Sequence, residues 1–200
     1  MTTNQTLSLF ISSKMQELAA ERRALQKALA TYLMKGWLWE DDAGARPEPV
    51  RSTYLTEVEA CDIYIGLFWH GYGPYTIEEY NHARHLHKPC LVYEKYVDVA
   101  KRDPQLASFL KQIEAATNPE GLTVRRFTTP EELASFVQED VQRLLTTTFR
   151  NSRKQPSKEV KPSPHISMRA DRGGITVYNN PGTISQQNYN YGNSDAEDDE

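Results

Sequence analysis

Residues 61–83 read C-D-I-Y-I-G-L-F-W-H-G-Y-G-P-Y-T-I-E-E-Y-N-H-A. Asp62 to Phe68 is apolar on both alternating faces, the pattern of a central strand in a parallel sheet covered on both sides. A loop rich in glycine and aromatic residues follows. A helix from Thr76 to about His87 then opens with Glu78 and Glu79. An open α/β sheet binds small molecules where its strands end and its loops begin. The stretch therefore delivers one carboxylate, Glu79, to the place where such a fold does its chemistry.

The flanking sequence repeats the same alternation. Upstream, Leu7 to Ile11 (L-S-L-F-I) reads as a first buried strand. Ser13 with Gln16 has the form of a capping box for a helix carrying Met15, Leu18, Leu25, Leu29, Tyr32 and Leu33 on one stripe. Gly36 reads as the end of that helix. Trp37 to Trp39 reads as a second strand, Asp41 to Pro49 as a loop, and about Thr53 to Ala60 as a short helix. Downstream, Lys88-Pro89 stops the Glu79 helix, and Cys90 to Tyr93 is a fourth strand. Leu106, Phe109, Leu110 and Ile113 are in helical register, and Leu122 to Phe127 alternates as an edge strand. Thr129-Pro130-Glu131-Glu132 is a helix start with Thr at the cap, Pro at the first position and Glu at the third.

Strand–helix alternation repeated in this way predicts a doubly wound five-stranded parallel sheet with helices on both faces. The expected order is the flavodoxin-like 2-1-3-4-5, whose switch point lies between strands 1 and 3. Ser12–Ser13 and the loop after Phe68 would then face each other across the crevice.

Regular apolar periodicity covers residues 1–149 and then stops. Ser152 to Pro164 is a linker by composition, and the whole interval 150–172 is read as flexible connection. Ile175 and Val177 alternate with polar neighbours, N-N-P-G at 179–182 reads as a turn, and Tyr189 and Tyr191 alternate again. That is a hairpin signal over residues 173–192. An isolated hairpin is marginal in water, so self-association through Ile175, Val177, Tyr189 and Tyr191 is expected. The acidic end at 193–200 reads as disordered.

The formal charge of −4 argues against a nonspecific nucleic-acid binder, which needs a basic field. The basic run Arg150, Arg153, Lys154, Lys158 and Lys161 reads as a solvated linker. Two cysteines, Cys61 and Cys90, lack metal spacing and read as reduced structural thiols. Neither a signal peptide nor a membrane-spanning run is visible, so a cytoplasmic location is expected.

Three blocks, F-I-S-S-K-M-Q-E-L-A-A-E-R, C-D-I-Y-I-G-L-F-W-H-G-Y-G and Y-T-I-E-E-Y-N-H-A, stand in order over about residues 7–110. Together they resemble the TIR-like domain of unknown function found at the N-termini of STAND-type NTPase and repeat proteins. That family is similar in fold to TIR domains and to nucleoside 2-deoxyribosyltransferases. The resemblance matches Asp62 and the pair Glu79/Ala83 to the transferases' strand aspartate and helix glutamate. It implies cleavage of an N-glycosidic bond, with NAD or a related nucleotide as substrate rather than as a resident cofactor. It also suggests a role in bacterial immunity against phage, with a STAND-type sensor or other defence protein as partner. Lys14 departs from the family pattern, which has Thr there. Activation by self-assembly or by a separate partner follows from the lack of an attached sensor in this sequence.

Glu79 is the expected catalytic residue, since a carboxylate stabilises or attacks an oxocarbenium-like centre. The competing reading is that Thr76-x-x-Glu79 is a capping box. Ser12 and Ser13 are expected to meet a ribose or phosphate, and Asp62 a ribose hydroxyl; helix capping competes in each case. Trp69 and Tyr72 are the expected base wall, with ordinary packing as the competing reading, and Gly73 is a further expected substrate contact. Gly71-x-Gly73 lacks the third glycine of a dinucleotide fingerprint. His82, His85 and His87 read as cations at a helix end rather than a metal site. A non-catalytic adaptor or nucleotide sensor that oligomerises through its tail remains the alternative function.

Overall fold

The computed structural model describes residues 6–32, 34–114, 121–154, 167–171 and 174–178. Contacts divide the chain into two units between Thr147 and Thr148.

The first unit is a five-stranded sheet in the order β2-β1-β3-β4-β5. Its strands are β1 (Leu7–Ser13), β2 (Met34–Trp37), β3 (Ile63–Phe68), β4 (Cys90–Lys95) and β5 (Val124–Phe127). All four pairings are parallel. The helices are α1 (Ala19–Ala30), α2 (Trp39–Asp42), α3 (Val50–Ala60), α4 (Pro74–His85), α5 (Pro104–Ile113) and α6 (Pro130–Lys154), with a short 3-10 turn at Val99–Lys101. The strand order and the α/β class are those the sequence predicts.

β3 sits in the middle, and every residue of it is buried. Its alternation builds two different cores. Ile63, Ile65 and Leu67 join Leu9 and Ile11 of β1, Leu25 and Leu29 of α1, and Leu133, Val137 and Val141 of α6. On the other face, Tyr64 and Phe68 join Phe10, Trp37, Tyr54 of α3, Tyr80 of α4 and Leu106 of α5. This second face is built from rings. Phe10 stacks on Trp37 at 4.9 Å, and Tyr80 meets Phe109 edge-on at 5.3 Å. Gly66 lies between Tyr64 and Phe68, where an added Cβ would come within 3.0 Å of the Phe68 ring. Its strand partner on β1 is Ser12.

Several local expectations are corrected. β1 runs on to Ser13 because Ser12 and Ser13 pair with Gly66 and Leu67, so Ser13 does not cap a helix. A turn follows, with Leu18 in the left-handed region at φ 59°, and α1 starts only at Ala19. Met15 and Tyr32 accordingly leave the apolar stripe and are 47% and 58% exposed; Leu33 lies outside the described residues. Gly36 does not end a helix. It pairs with Leu9 inside β2, where a Cβ would lie 2.9 Å from Ile11 Cδ1. Trp39 opens α2 instead of closing a strand. α6 begins as predicted: Thr129 Oγ1 accepts from the Glu132 N–H at 3.2 Å, and the Glu132 carboxylate accepts from the Thr128 N–H at 2.7 Å.

The linker boundary also moves. α6 continues to Lys154, because Arg150, Arg153 and Lys154 are cations at a helix C-terminus, where the macrodipole favours them. In the second unit β6 (Ser167–Asp171) pairs antiparallel with β7 (Gly174–Tyr178), Ala170 opposite Ile175 and Met168 opposite Val177. Ile175 and Val177 thus take the preceding segment as partner, across a separation of two residues, the commonest hairpin spacing. Tyr189 and Tyr191 lie outside the described residues. Among the described residues no helix is long and apolar enough to cross a membrane.

Candidate active site

A cavity of about 370 Å³ opens at the carboxyl edge of β1, a volume within the range of small-ligand sites. Its walls come from five places. Ile11 to Ser13 end β1 and Lys14 to Gln16 form the turn after it, Arg22 comes from α1, and Trp39 and Glu40 come from α2. Val50 and Tyr54 come from α3, and Tyr72 to Thr76 with Glu79 come from the loop and helix after β3.

Glu79 is carried there by α4, which packs on the aromatic face. Pro74 occupies the first helical position and Gly73 is the cap, so Thr76 lies inside the first turn and is not a capping residue. The capping-box reading of Thr76 and Glu79 is therefore overturned. The Glu79 carboxylate instead accepts a hydrogen bond from the buried Ser12 hydroxyl, 67 residues away in sequence. Ser12 shares the aromatic face with Phe10 by strand alternation. Burial pushes the Glu79 carboxyl up to about 7; the Ser12 hydrogen bond opposes this shift and the neighbouring Glu78 charge adds to it. Beneath it, the wholly buried Tyr64 hydroxyl donates to the Thr76 carbonyl at 3.3 Å, and burial raises its pKa too.

Glu78 meets the opposite environment. Arg51 Nε donates to it at 2.7 Å and the Tyr54 hydroxyl also donates, holding its pKa below the usual carboxylate value. Neighbouring glutamates are thus pushed apart, the pattern by which an acid and a permanent anion are separated in active sites.

The turn after β1 is held by Arg22, which is 4% exposed. Its Nε donates to Glu40 Oε1 at 2.6 Å, and its remaining nitrogens donate to Ser13 Oγ at 2.7 Å and to the carbonyls of Glu17 and Met15 at 2.5 and 3.2 Å. Glu17 closes the crevice from the other side. Its carboxylate accepts the backbone N–H groups of His70 at 3.2 Å and Gly71 at 3.1 Å, and Lys14 Nζ sits 3.1 Å away. A Cβ on Gly71 would lie 2.0 Å from Lys14 Nζ and 2.8 Å from Glu17 Oε1, so a side chain there would displace the ends of both.

Of the predicted site residues, Glu79, Ser12, Ser13, Tyr72 and Gly73 line this one cavity. Two do not. Asp62 precedes β3 and accepts from the Ser8 N–H at 2.8 Å. In a parallel sheet that is the amino edge, opposite the loops that build the cavity. Trp69 follows Phe68 in alternation and so turns to the aliphatic face, with Lys95 Nζ 4.5 Å over its ring. Arg22, Glu40, Tyr54 and Glu17 are site residues that sequence reasoning missed. Arg22 had a signal in the E-R pair of the first block, but Glu40 falls between the strand read at Trp37–Trp39 and the loop read from Asp41, with nothing local to mark it. The histidines do not converge: His82 Nε2 faces Glu59 at 3.0 Å. Among the described residues no three His, Cys, Asp or Glu gather to hold a metal ion.

Residues 8–142 match the family described as Domain of unknown function (DUF4062). The chain belongs to that family. One solved structure that this DUF4062 domain resembles is the Clostridium botulinum CMP N-glycosidase BcmB. The likeness has a TM-score of 0.46 and 13% sequence identity, over 66% of this chain and 97% of that one. No curated protein matches the chain. Ser12, Ser13, Arg22 and Glu79 all fall within the matched residues, so the cavity belongs to the DUF4062 domain itself.

Proposed function

We propose that the protein hydrolyses an N-glycosidic bond of NAD or a related nucleotide, with Glu79 as the group that acts on the sugar. The observation that carries this reading is the Glu79 carboxyl itself. It lines a ligand-sized cavity at the carboxyl edge of the sheet, its pKa is raised to about 7, and one oxygen is fixed by Ser12. A strongly perturbed acid in a cleft is a functional-site candidate on physical grounds.

In the proposed reaction the bond from C1′ to the base nitrogen breaks, and the electron pair leaves with the base. With NAD the nicotinamide departs neutral and needs no proton. Ionised Glu79 stabilises the oxocarbenium-like sugar or adds to C1′. Water then bonds to C1′, breaking the bond to the carboxylate where Glu79 has added, and the water's proton passes to the freed carboxylate, which returns it to solvent. Ser12 fixes the rotamer of Glu79, and Tyr72 with Tyr54 forms the aromatic wall for the base. No cofactor or metal takes part in this scheme.

The setting proposed for this activity is bacterial anti-phage signalling, switched on by self-assembly or by a partner such as a STAND-type sensor. It is supported by the resemblance of the three sequence blocks. The hairpin of β6 and β7 favours a second reading, an adaptor that oligomerises through its tail. A two-stranded ribbon is marginal alone, and its outer edges invite further strands.

The test is nicotinamide release from NAD by wild-type protein and Glu79→Gln across a range of protein concentrations. Release that depends on Glu79 supports the enzyme. Equal release by both proteins, or none from wild type in any assembled state, removes the catalytic role. Retained signalling in Glu79→Gln, with loss on deletion of residues 173–192, selects the adaptor.

A further inference from the structure

Glu40 shares the cavity with Glu79, and nothing in the scheme above uses it. We infer that the Glu40 carboxylate receives the vicinal hydroxyls of the sugar, so that the cavity selects ribosyl over 2′-deoxyribosyl substrates. The inference rests on the nucleotide-cleaving reading of Glu79 and adds the sugar class to it.

Glu40 stands three residues beyond the end of β2, on the edge of the sheet where the strands' carboxyl ends meet the ligand. In open doubly wound sheets the ligand crevice lies outside the carboxyl ends of the strands, which is where Glu40 stands. Its Oε1 accepts from Arg22 Nε, and no hydrogen bond to Oε2 is present among the described residues. A carboxylate offers acceptor sites on both oxygens and no donor, which suits a pair of adjacent hydroxyls.

Arg22 aims the carboxylate and cannot compete for the ligand's phosphate. It is buried, and its donors are directed to Glu40, Ser13 and two backbone carbonyls. Glu40 and Glu79 are thus two carboxylates set at different places on the wall of one cavity. One carboxylate therefore grips the sugar as the other acts at C1′. A 2′-deoxy sugar leaves the Glu40 anion one hydrogen bond short, which costs roughly ten- to a hundredfold in affinity for a charged acceptor.

The test titrates the full-length Glu79→Gln protein with AMP and dAMP, and with CMP and dCMP, by isothermal calorimetry. The ribonucleotides should bind roughly ten- to a hundredfold more tightly than their deoxy partners. Glu40→Gln, which keeps an acceptor for Arg22, should bring that ratio close to unity. So should Glu40→Asp, which keeps the charge beside Arg22 but shortens the reach. If both variants weaken ribo and deoxy ligands equally and leave the ratio unchanged, Glu40 only braces Arg22 and the inference is wrong. An absence of ribo preference, or of any binding, also overturns it. Base release from the same nucleotides and NAD is measured in parallel with Glu79 intact. A Glu40-dependent ribo preference without base release would remove the catalytic role of Glu79 and leave the sugar assignment standing.

Discussion

Replacing Glu79 with glutamine should stabilise the protein, and only above a definite pH. The folded carboxyl titrates at about 7 against 4.5 for the free group. The native state therefore holds the proton more tightly than the unfolded chain. Below about 4.5 both states are protonated and the group contributes nothing. Between about 4.5 and 7 the native state binds more protons, so stability falls as pH rises. Above 7 the full cost of the buried charge is present. A gap of about 2.5 units at 1.36 kcal/mol each sets a ceiling of about 3 kcal/mol. Glutamine keeps the shape and an oxygen for Ser12, but a neutral acceptor is weaker, so a gain of about 1–3 kcal/mol is expected at pH 8. For a chain of this size that is about 3–10 °C in Tm. The assay is a set of thermal melts of both proteins from pH 4.5 to 8.5, with urea melts at the two ends. A difference that does not vary with pH, or a less stable Glu79→Gln at pH 8, refutes the buried-carboxyl account. Glu78→Gln is the internal control with the opposite sign. Its folded pKa is depressed, chiefly by Arg51, so the variant should be the less stable protein above about 4.5, and the gap should close as acid is added.

Three further outcomes follow from the geometry. Arg22→Ala should cost about 2–3 kcal/mol in urea melts, since it leaves two carbonyls and Ser13 without their buried donor while Glu40 turns to solvent; a loss under about 1 kcal/mol would mean the turn does not depend on it. Gly36→Ala should destabilise by about 1–3 kcal/mol because its methyl would meet Ile11 at 2.9 Å, whereas a helix-ending glycine exposed to solvent would tolerate it. Burial pushes both Cys61 and Cys90 thiols up to about 11, so alkylation of folded protein at pH 8 should be slow and should accelerate on unfolding; rapid labelling of native protein would contradict their placement.

The candidate site was legible in proportion to how local its signals are. Glu79 was found because a fully apolar strand and an acid-opening helix lie within one continuous stretch. Its competing role as a cap was settled by Pro74, which starts the helix two residues earlier than Thr76. Asp62 and Trp69 failed for reasons of direction. One stands at the wrong end of a parallel strand, and the other alternates to the wrong face. Strand pattern shows that a residue borders a sheet but not which edge carries the ligand. Arg22 and Glu40 escaped because each makes sense only through the other. A buried arginine on a helix and a glutamate in a polar run read separately as solvated charges.

The sequence by itself determined the alternation of strands and helices, the buried middle strand and hence the strand order, since apolar period and caps are local properties of the chain. Only the tertiary structure decided that β1 runs on through Ser13, that α1 waits until Ala19, and that Ser12 reaches Glu79 while Arg22 reaches Glu40. Those pairings join residues 67 and 18 positions apart. They form where β1, α1, α2 and α4 converge, and no short window of sequence contains both partners.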